Sequence, residues 1–351
     1  MAIGGAQTAP SFRRVQSMGL PQVRLISREN GVGLSRDLDL MAGLLAGQAR
    51  VERLGIGGRS RMRLQELGLW GRRLLHGKAP LQLFAERVYR RCLPLAERNL
   101  LVPNPEWFLE RWLPLLPAFD AVLCKTRHAE RIFHALGCDA RYIGFTSPDR
   151  MQAAVPRQRV FLHLAGRSSA KGTQALLATW QRHPHWPLLV VVQHPKIATA
   201  KVVAANIDHR IAYLDDAALQ ALQNQCLFHV CPSETEGFGH YLMEGLSVGA
   251  VVLTTDAEPM AELVAAQRGI HIPVAGSRTD GLARRYFVDG EGIAAAVEQA
   301  LALDATALAR LSHAARSYYL CNDQAFARRF QREVLAWTRS AAALPLAEVE
   351  R

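Results

Sequence analysis

The chain has 351 residues, of which 49% are hydrophobic and 21% are charged, and its formal net charge is +11. This length accommodates two domains of roughly 100–200 residues each, and the composition is that of an ordinary soluble globular protein. No uninterrupted apolar run approaches the roughly 20 residues that cross a bilayer, which argues against a transmembrane helix. The positive charge favours an anionic partner, either nucleic acid, an anionic membrane surface or a phosphorylated substrate, although a solvated basic surface without a partner has the same composition.

Residues 1–20 are expected to form a loose tail, because the segment that follows Arg13 and Arg14 is too polar for the apolar part of a signal peptide. The cysteines form no Cys-x-x-Cys pair and have no histidine near them at metal-ligand spacing. We therefore expect reduced, buried thiols in a cytoplasmic protein, and no metal site. The six cysteines are Cys92, Cys124, Cys138, Cys226, Cys231 and Cys321.

In the first half of the chain, short apolar runs alternate with helical patterns, which indicates βα units and a parallel sheet. A polar stretch at 146–159 then interrupts the pattern and is the predicted interdomain linker. The predicted strands are 22–27, 49–56, 81–88, 98–104, 121–126 and 140–145, and the predicted helices are 36–47 and 128–137.

The pattern restarts after the linker, and the chain is predicted to be helical from about 275 to its end. Strands are predicted at 160–166, 186–193, 209–214, 227–233, 250–255 and 269–274, with helices at 172–183, 216–225 and about 239–248. The predicted fold class is therefore α/β, with two doubly wound domains that face a central cleft. Ligands of such folds bind at the carboxyl ends of the strands. The predicted tail is 1–20, the N-terminal domain is 21–155 and the C-terminal domain is 156–321. A C-terminal helix at 322–351 is expected to cross back onto the N-terminal domain.

The most patterned segment is 231–264, with the sequence CPSETEGFGHYLMEGLSVGAVVLTTDAEPMAELV. Gly237 and Gly239 allow a sharp bend and a close approach of the backbone to a ligand, and the N-terminus of the following helix attracts an anion. Glu236 precedes this helix and Glu244 lies about two turns into it. Carboxylates accept hydrogen bonds from paired hydroxyls, so the pair suits a nucleotide sugar, with its diphosphate between hexose and ribose. The plainer alternative is a helix-capping Glu236 and a solvated Glu244.

Residues from about 160 to 335 resemble the C-terminal domain of family 4 glycosyltransferases, which have the GT-B fold. The segments that carry the resemblance are FLHLAGRSSAKGTQALLATW, HRIAYLDDAALQALQNQCLFHVCPS, the segment 231–264, GIHIPV and ARRFQREVLAW, in that order. The resemblance implies transfer of a sugar from a nucleotide-diphosphate sugar with retention of anomeric configuration.

The resemblance also implies roles for individual residues. Glu236 holds the donor-sugar hydroxyls, Glu244 binds the ribose hydroxyls, and the backbone of 237–239 (Gly237, Phe238 and Gly239) approaches the sugar and phosphates. Arg167 and Lys171 neutralise the diphosphate leaving group in place of a metal ion, so neither a metal nor another cofactor is implied. Solvated loop charges are the alternative for these two cations.

Further residues are placed at the donor site by the same resemblance. Leu214 and Asp215 fall where the family binds the base, and Gly31 and Gly33 match the glycine loop that faces the donor phosphates. The segment 125–127 (Lys125, Thr126 and Arg127) either binds phosphate or opens a helix, and His194 is interpreted as a structural loop histidine.

The acceptor stays open between a saccharide and a lipid-linked saccharide, with the reaction in the cytoplasm or at the inner face of the cytoplasmic membrane. A different class also stays open, a non-catalytic GT-B-like module that binds an anionic partner. A nucleic acid is not expected, because no basic stripe is interleaved with aromatic residues. A phosphorylase or an epimerase of the same fold is disfavoured, because the family 4 segments match in order.

Overall fold

The computed structural model describes residues 20–28, 33–56, 59–198 and 200–341. Gly31, residues 1–19 of the predicted tail and the last ten residues lie outside the described residues. The strands are β1 (Gln22–Arg28), β2 (Arg50–Ile56), β3 (Ala79–Ala85), β4 (Ala96–Val102), β5 (Ala121–Cys124), β6 (Ala140–Tyr142), β7 (Gln158–Gly166), β8 (Leu189–Gln193), β9 (Ile207–Ile211), β10 (Cys226–Cys231), β11 (Val251–Thr255), β12 (Gly269–Ile272), β13 (Gly276–Asp280) and β14 (Ala283–Phe287).

The α-helices lie between the strands and at the end of the chain. They are α1 (Gly33–Leu45), α2 (Arg59–His76), α3 (Arg127–Ala135), α4 (Thr173–Arg182), α5 (Asp216–Gln225), α6 (His240–Ser247), α7 (Met260–Leu263), α8 (Gly290–Leu301) and α9 (Ala305–Ala341). Short 3-10 helices occupy Arg90–Leu95, Pro105–Trp107 and Glu110–Ala118.

Two six-stranded parallel sheets organise the protein, which confirms the predicted α/β class with two doubly wound halves. The first sheet has the order β2-β1-β3-β4-β5-β6 and the second has the order β12-β11-β10-β7-β8-β9. The strand order reverses between β1 and β3 in the first sheet, and between β7 and β10 in the second. Loops that leave neighbouring strands in opposite directions open a crevice at such a point, and ligands bind there.

Two elements differ from the prediction. Helix α2 was not predicted, because Gly68 and Gly71 lie inside it and weaken its helical pattern. The hairpin β13–β14 stands where the chain was predicted to be helical. Its two-residue loop is Gly281–Leu282, and it begins with Gly281 at φ +61°, a position where hairpin loops favour glycine.

Helix α9 joins the two halves of the protein. It packs on α6 and β11 of the second half and on α1, β3 and β4 of the first. Phe326, Phe330 and Val334 are fully buried in one apolar cluster, and this cluster contains side chains from both halves, including Leu25 of β1 and Val252 of β11. A single core therefore spans the two sheets.

Within the part of the chain that the structure describes, no single helix has both the length and the apolar composition needed to cross a membrane. Helices α8 and α9 meet these two criteria only when taken together, and they are bent by 109° at their junction.

Replacement of Phe330 by alanine is expected to destabilise the whole protein, because the ring is fully buried in the core shared by both halves. A Phe→Ala change at such a site costs about 3–5 kcal/mol of unfolding free energy. Leu320 is 43% exposed on the same helix, and Leu320→Ala is the matched control. Chemical denaturation measures both; equal, small losses for the two variants would contradict a shared core at α9.

Candidate active site between the two sheets

A cavity of about 670 Å³ lies where the carboxyl ends of the two sheets face each other. Residues of both halves form its wall. The first half contributes Arg36, Asp37, Glu86, Asn104, Glu106 and Lys125. The second half contributes 164–168, Lys171, Val192, His194, 212–214, Asp216, Leu219, 236–241 and Glu244. Most of the predicted site residues are therefore brought together in one place.

Lys171 and Glu236 form an ion pair in this wall. Lys171 ends the loop after β7, and Glu236 belongs to the loop after β10, so the switch point of the second sheet brings them together. Ser233 donates a second hydrogen bond to Glu236, at 2.5 Å, and the Lys171 ammonium lies 3.8 Å from the centre of the Tyr241 ring. Both hydrogen bonds to Glu236 end on Oε1, which leaves Oε2 for a ligand hydroxyl.

Glu244 lies deeper in the cavity, and its side chain is only 7% exposed. Its Oε1 accepts a hydrogen bond from Arg36 of α1, and its Oε2 accepts one from Gln223 of α5, each at 2.7 Å. Each carboxylate oxygen has two acceptor positions, so a ligand hydroxyl can add to both of these contacts. Glu244 is thus fixed in position by both halves of the protein.

The turn at 237–239 separates the two carboxylates. A Cβ at Gly237 would collide with the side chains of Asn104 and Glu106 of the first half, so the close packing of the neighbouring domain favours glycine here. Gly239 has φ +83° and precedes α6. Phe238 is buried and packs edge-to-face on Phe145, with the ring centres 5.2 Å apart.

The other predicted residues divide into wall residues and residues with local roles. Leu214 and the exposed Arg167 line the cavity. Asp215 is absent from the described wall, because its carboxylate accepts the hydrogen bond of the Ala218 amide and caps α5. Gly33 is the first residue of α1. His194 also reaches the cavity, where its Nδ1 accepts a bond from the Lys196 amide in its own loop.

The segment 125–127 was expected either to bind phosphate or to open a helix, and its residues differ in what they do. Thr126 caps α3 by accepting a hydrogen bond from the Ala129 amide, which is the helix-opening role. Lys125 instead turns into the cavity wall and bonds to Asp37 at 2.6 Å. Arg127 pairs with Glu130 one turn along the helix.

A polar chain that sequence reasoning missed runs across the domain boundary. Ser147 bonds to His240 Nδ1 at 2.8 Å, His240 Nε2 bonds to Asp37 at 2.8 Å, and Asp37 bonds to Lys125. Burial alone raises the pKa of Asp37, but the charges of Lys125 and His240 outweigh burial and hold this pKa well below its usual range. Asp37 is therefore an anion that ties the first half to the start of α6.

Two carboxyl groups of the first half were also missed, Glu86 and Glu106. Glu86 follows β3 with a left-handed backbone, φ +67°, and burial raises its pKa. Burial raises the pKa of Glu106 to about 8, and the charge of Glu236 adds to this effect. Glu106 Oε2 and Asn104 Oδ1 are enclosed without a hydrogen-bond partner among the described residues. Glu106 is a neutral hydrogen-bonding group in the cavity wall at neutral pH.

A second, smaller cavity of about 160 Å³ adjoins the first. The two cavities share four wall residues, Glu106, Ser168, Lys171 and Glu236. The outer wall of the second cavity contains Trp107, which is 59% exposed, and residues of the hairpin β13–β14. The Lys171–Glu236 ion pair thus lies between two adjoining spaces.

The described residues contain no group of three or more histidine, cysteine, aspartate or glutamate side chains arranged to hold a metal ion. The cations in the cavity wall are arginine and lysine side chains, which bind phosphate groups by hydrogen bonds and charge. The arrangement combines paired acceptors for hydroxyl groups with cations for an anionic group.

Replacement of Glu106 by glutamine is expected to alter the pH dependence of stability. Because its pKa is raised from 4.5 to about 8 in the folded protein, the folded state keeps a proton there that the unfolded chain releases between these two values. The wild type therefore loses unfolding free energy relative to Glu106→Gln as the pH rises through this window, by at most about 1.4 kcal/mol per pH unit. Denaturant titrations of both proteins across the window test this, and parallel pH profiles would contradict it.

Sequence comparison matches the part of the chain that forms the second half of this site. The family model described as glycosyl transferases group 1 matches residues 146–310, which is 165 of the 351 residues. This segment contains both β7 and β10, with the loops that hold Lys171 and Glu236. No curated protein matches the chain in sequence.

Solved structures with the same fold cover nearly the whole chain. A glycosyltransferase from Rickettsia africae ESF-5 is 12% identical with a TM-score of 0.64, and 93% of this chain and 100% of that chain are covered. Sucrose-phosphate synthase from Thermosynechococcus elongatus is 15% identical with a TM-score of 0.64, with coverages of 92% and 100%. HepE from Anabaena, in complex with UDP and glucose, is 14% identical with a TM-score of 0.62, with coverages of 91% and 100%.

At these identities the likeness concerns the fold. Together with the two facing six-stranded sheets, it confirms the predicted GT-B architecture of two Rossmann-like domains around a cleft. The protein thus has the GT-B fold, and its segment 146–310 matches the group 1 glycosyl transferases.

Proposed function

We propose that the protein is a retaining glycosyltransferase of family 4, which moves a hexose from a nucleotide-diphosphate sugar to a saccharide or lipid-linked acceptor. The observation that carries this proposal is the placement of Glu236, Lys171 and Glu244 in one cavity between the strand ends of two GT-B domains. The match of 146–310 to group 1 glycosyl transferases supports it.

The donor extends along the cavity from the Lys171–Glu236 pair to the loop at 212–214. The free oxygen of Glu236 accepts hydrogen bonds from the hexose hydroxyls, and Glu244 accepts those of the ribose. Lys171 and Arg167 bind the diphosphate between the sugars, in the place of a metal ion. The binding of UDP and glucose by HepE, a protein of the same fold, supports a donor of this class.

The base lies between Leu214 and Tyr213 at the outer end of the cavity. Tyr213 is 75% exposed on the cavity wall and offers an aromatic face to stack on a base. Arg36 bonds to Glu244 from the opposite domain and closes the site over the ribose. Asp215 directly follows Leu214 and uses its carboxylate to cap α5, so any contact of Asp215 with the base is made by its backbone.

The reaction proceeds by attack on the same face of the sugar from which the diphosphate leaves. The acceptor oxygen forms a bond to the anomeric carbon, the bond from that carbon to the diphosphate oxygen breaks, and this oxygen takes the acceptor proton. No protein nucleophile is needed. The main catalytic task is to stabilise the negative charge that grows on the leaving group, which fixed cations in an enclosed site do well.

The acceptor enters through the second cavity. Its inner wall is the Lys171–Glu236 pair, where the donor sugar is bound from the other side. The neutral carboxyl of Glu106 lies at the same boundary and donates a hydrogen bond to the acceptor, while Trp107 offers an exposed face to a sugar ring. Both cations of this cavity, Lys171 and Arg285, are paired with carboxylates, which suits an acceptor that is uncharged at its reacting end.

Loss of a charge-stabilising contact in the transition state costs on the order of 100–1,000-fold in rate. We therefore expect Glu236→Ala and Lys171→Ala to lower the transfer rate by at least this factor. In the absence of an acceptor, the rate measured is the hydrolysis of the donor by water, which should fall by the same factor. Glu244→Ala is expected to lower it as much and also to weaken nucleotide binding. Glu291→Ala is the matched control, because Glu291 is exposed on α8, outside both cavities.

The experiment is a calorimetric screen of the wild type, Glu244→Ala and Glu291→Ala against UDP-, GDP- and ADP-sugars, with and without divalent metal, followed by rate measurements with the donor that binds. Binding of one nucleotide class by the wild type and the control, lost in Glu244→Ala and independent of metal, is the expected result. Near-wild-type rates in all three active-site variants, or binding without turnover under any condition, would favour the non-catalytic binding module instead.

A further inference from the structure

Helix α2 carries an apolar face that no described residue covers. Leu64, Leu67, Leu74 and Leu75 are 70%, 68%, 83% and 79% exposed. Successive members of this set are three, seven and one residues apart, so all four side chains lie on one side of a helix with 3.6 residues per turn. A contiguous apolar patch of this kind is uncommon on a monomeric soluble protein and marks an interaction surface.

The opposite face of the same helix accounts for its folding. Leu69 is 5% exposed and packs in the core cluster of the first half, and Trp70 packs against that cluster. Glu66 is 6% exposed and pairs with Arg91. The four leucines are therefore not needed to hold α2 on the domain, and their exposure requires a separate explanation.

The charge around the leucines identifies the class of partner. Residues 59–78 contain six lysines and arginines and only one acidic residue, Glu66, whose carboxylate is buried. The Arg72 side chain pairs with Glu52 and is still 61% exposed, and the Arg91 side chain, which pairs with Glu66, is 71% exposed. An apolar row flanked by basic residues complements the surface of an anionic bilayer, where leucines enter the acyl boundary and cations face the headgroups.

The position of α2 adds a geometric argument. Its first turn follows β2, which ends at the cleft edge of the first sheet, and Gln65 donates a hydrogen bond to the Gly55 carbonyl there. The helix thus runs from the rim of the cleft along the outside of the first domain.

We propose that α2 is the surface by which the protein docks on an anionic lipid bilayer, with Leu64, Leu67, Leu74 and Leu75 inserted at the interface. This proposal rests on exposure and charge and is independent of the sugar-transfer reaction. The partner is the lipid surface itself, held by insertion of the leucines and by attraction of the flanking cations.

The test is sedimentation of the full chain with vesicles of phosphatidylcholine alone and of phosphatidylcholine mixed with phosphatidylglycerol. We expect the wild type to bind the mixed vesicles at least tenfold more strongly than the neutral ones, and salt to weaken this binding. The double variant Leu74→Glu/Leu75→Glu is expected to lose at least tenfold in affinity for the mixed vesicles. Its thermal unfolding and its nucleotide binding should match the wild type, because both side chains are exposed and remote from the cavity.

The matched control is Leu188→Glu/Leu320→Glu, which places the same charges on leucines that are 39% and 43% exposed elsewhere. This control should bind vesicles like the wild type. Failure of the wild type to bind mixed vesicles, or equal binding by the α2 variant, would overturn the proposal. Self-association of the wild type that the α2 variant abolishes would also overturn it, because a second copy of the chain would then be the occupant.

Discussion

Lys171 and Glu236 come from loops 65 residues apart and pair because each charge would be costly to enclose alone. The same constraint governs the other charges of the cleft, in which Arg36 pairs with Glu244 and Lys125 with Asp37. Breaking one partner out of a buried pair typically costs about 3–5 kcal/mol. Two of these three carboxylates, Glu244 and Asp37, accept a hydrogen bond from the opposite domain. The pairing of charges therefore also holds the two domains next to each other.

One carboxyl group in the cleft, that of Glu106, is buried without an ion-pair partner among the described residues. Burial, with the charge of Glu236 added to it, outweighs the charge of Lys125 and raises the pKa of Glu106 to about 8. Asn104 and Glu106 lie so close to Gly237 that a Cβ there would collide with both side chains. Gly237 therefore allows the close contact with the opposite domain, and it also lines the cavity. A mutation at Gly237 would affect both at once.

The sequence predicted those parts of the site that are encoded locally. Glu236, Glu244 and Lys171 lie in short segments whose glycines, strand ends and helix starts are visible in the chain, and each lines the cavity. Leu214 was predicted through the resemblance and also lines it. The contact between Asp37 and His240 was missed because the two residues are 203 positions apart, in different domains, and such a pairing leaves no periodic pattern. Glu106 was missed because its raised pKa comes mainly from burial, which the local sequence does not show.

The same distinction holds for the fold. Both parallel sheets follow from runs of β-branched and aliphatic residues, and their helices from the intervening periodicity. Helix α2 lacked that signal because one of its faces is apolar toward solvent and two glycines interrupt it. The hairpin β13–β14 is rich in charge and exposed on most of its residues, so it offers little apolar alternation; Gly281 in its loop was the one local signal.

Helix α9 has a mechanical consequence. The chain passes between the two halves twice, once along the segment after Phe145 and once within α9 near Phe326, and the two passages touch where these rings pack 4.8 Å apart. Two crossings at one point act as a pivot rather than as two separate tethers. Relative displacement of the two halves is then smallest at this pivot and grows with distance from it, so contacts between the halves that lie far from these two rings change most when the cleft opens.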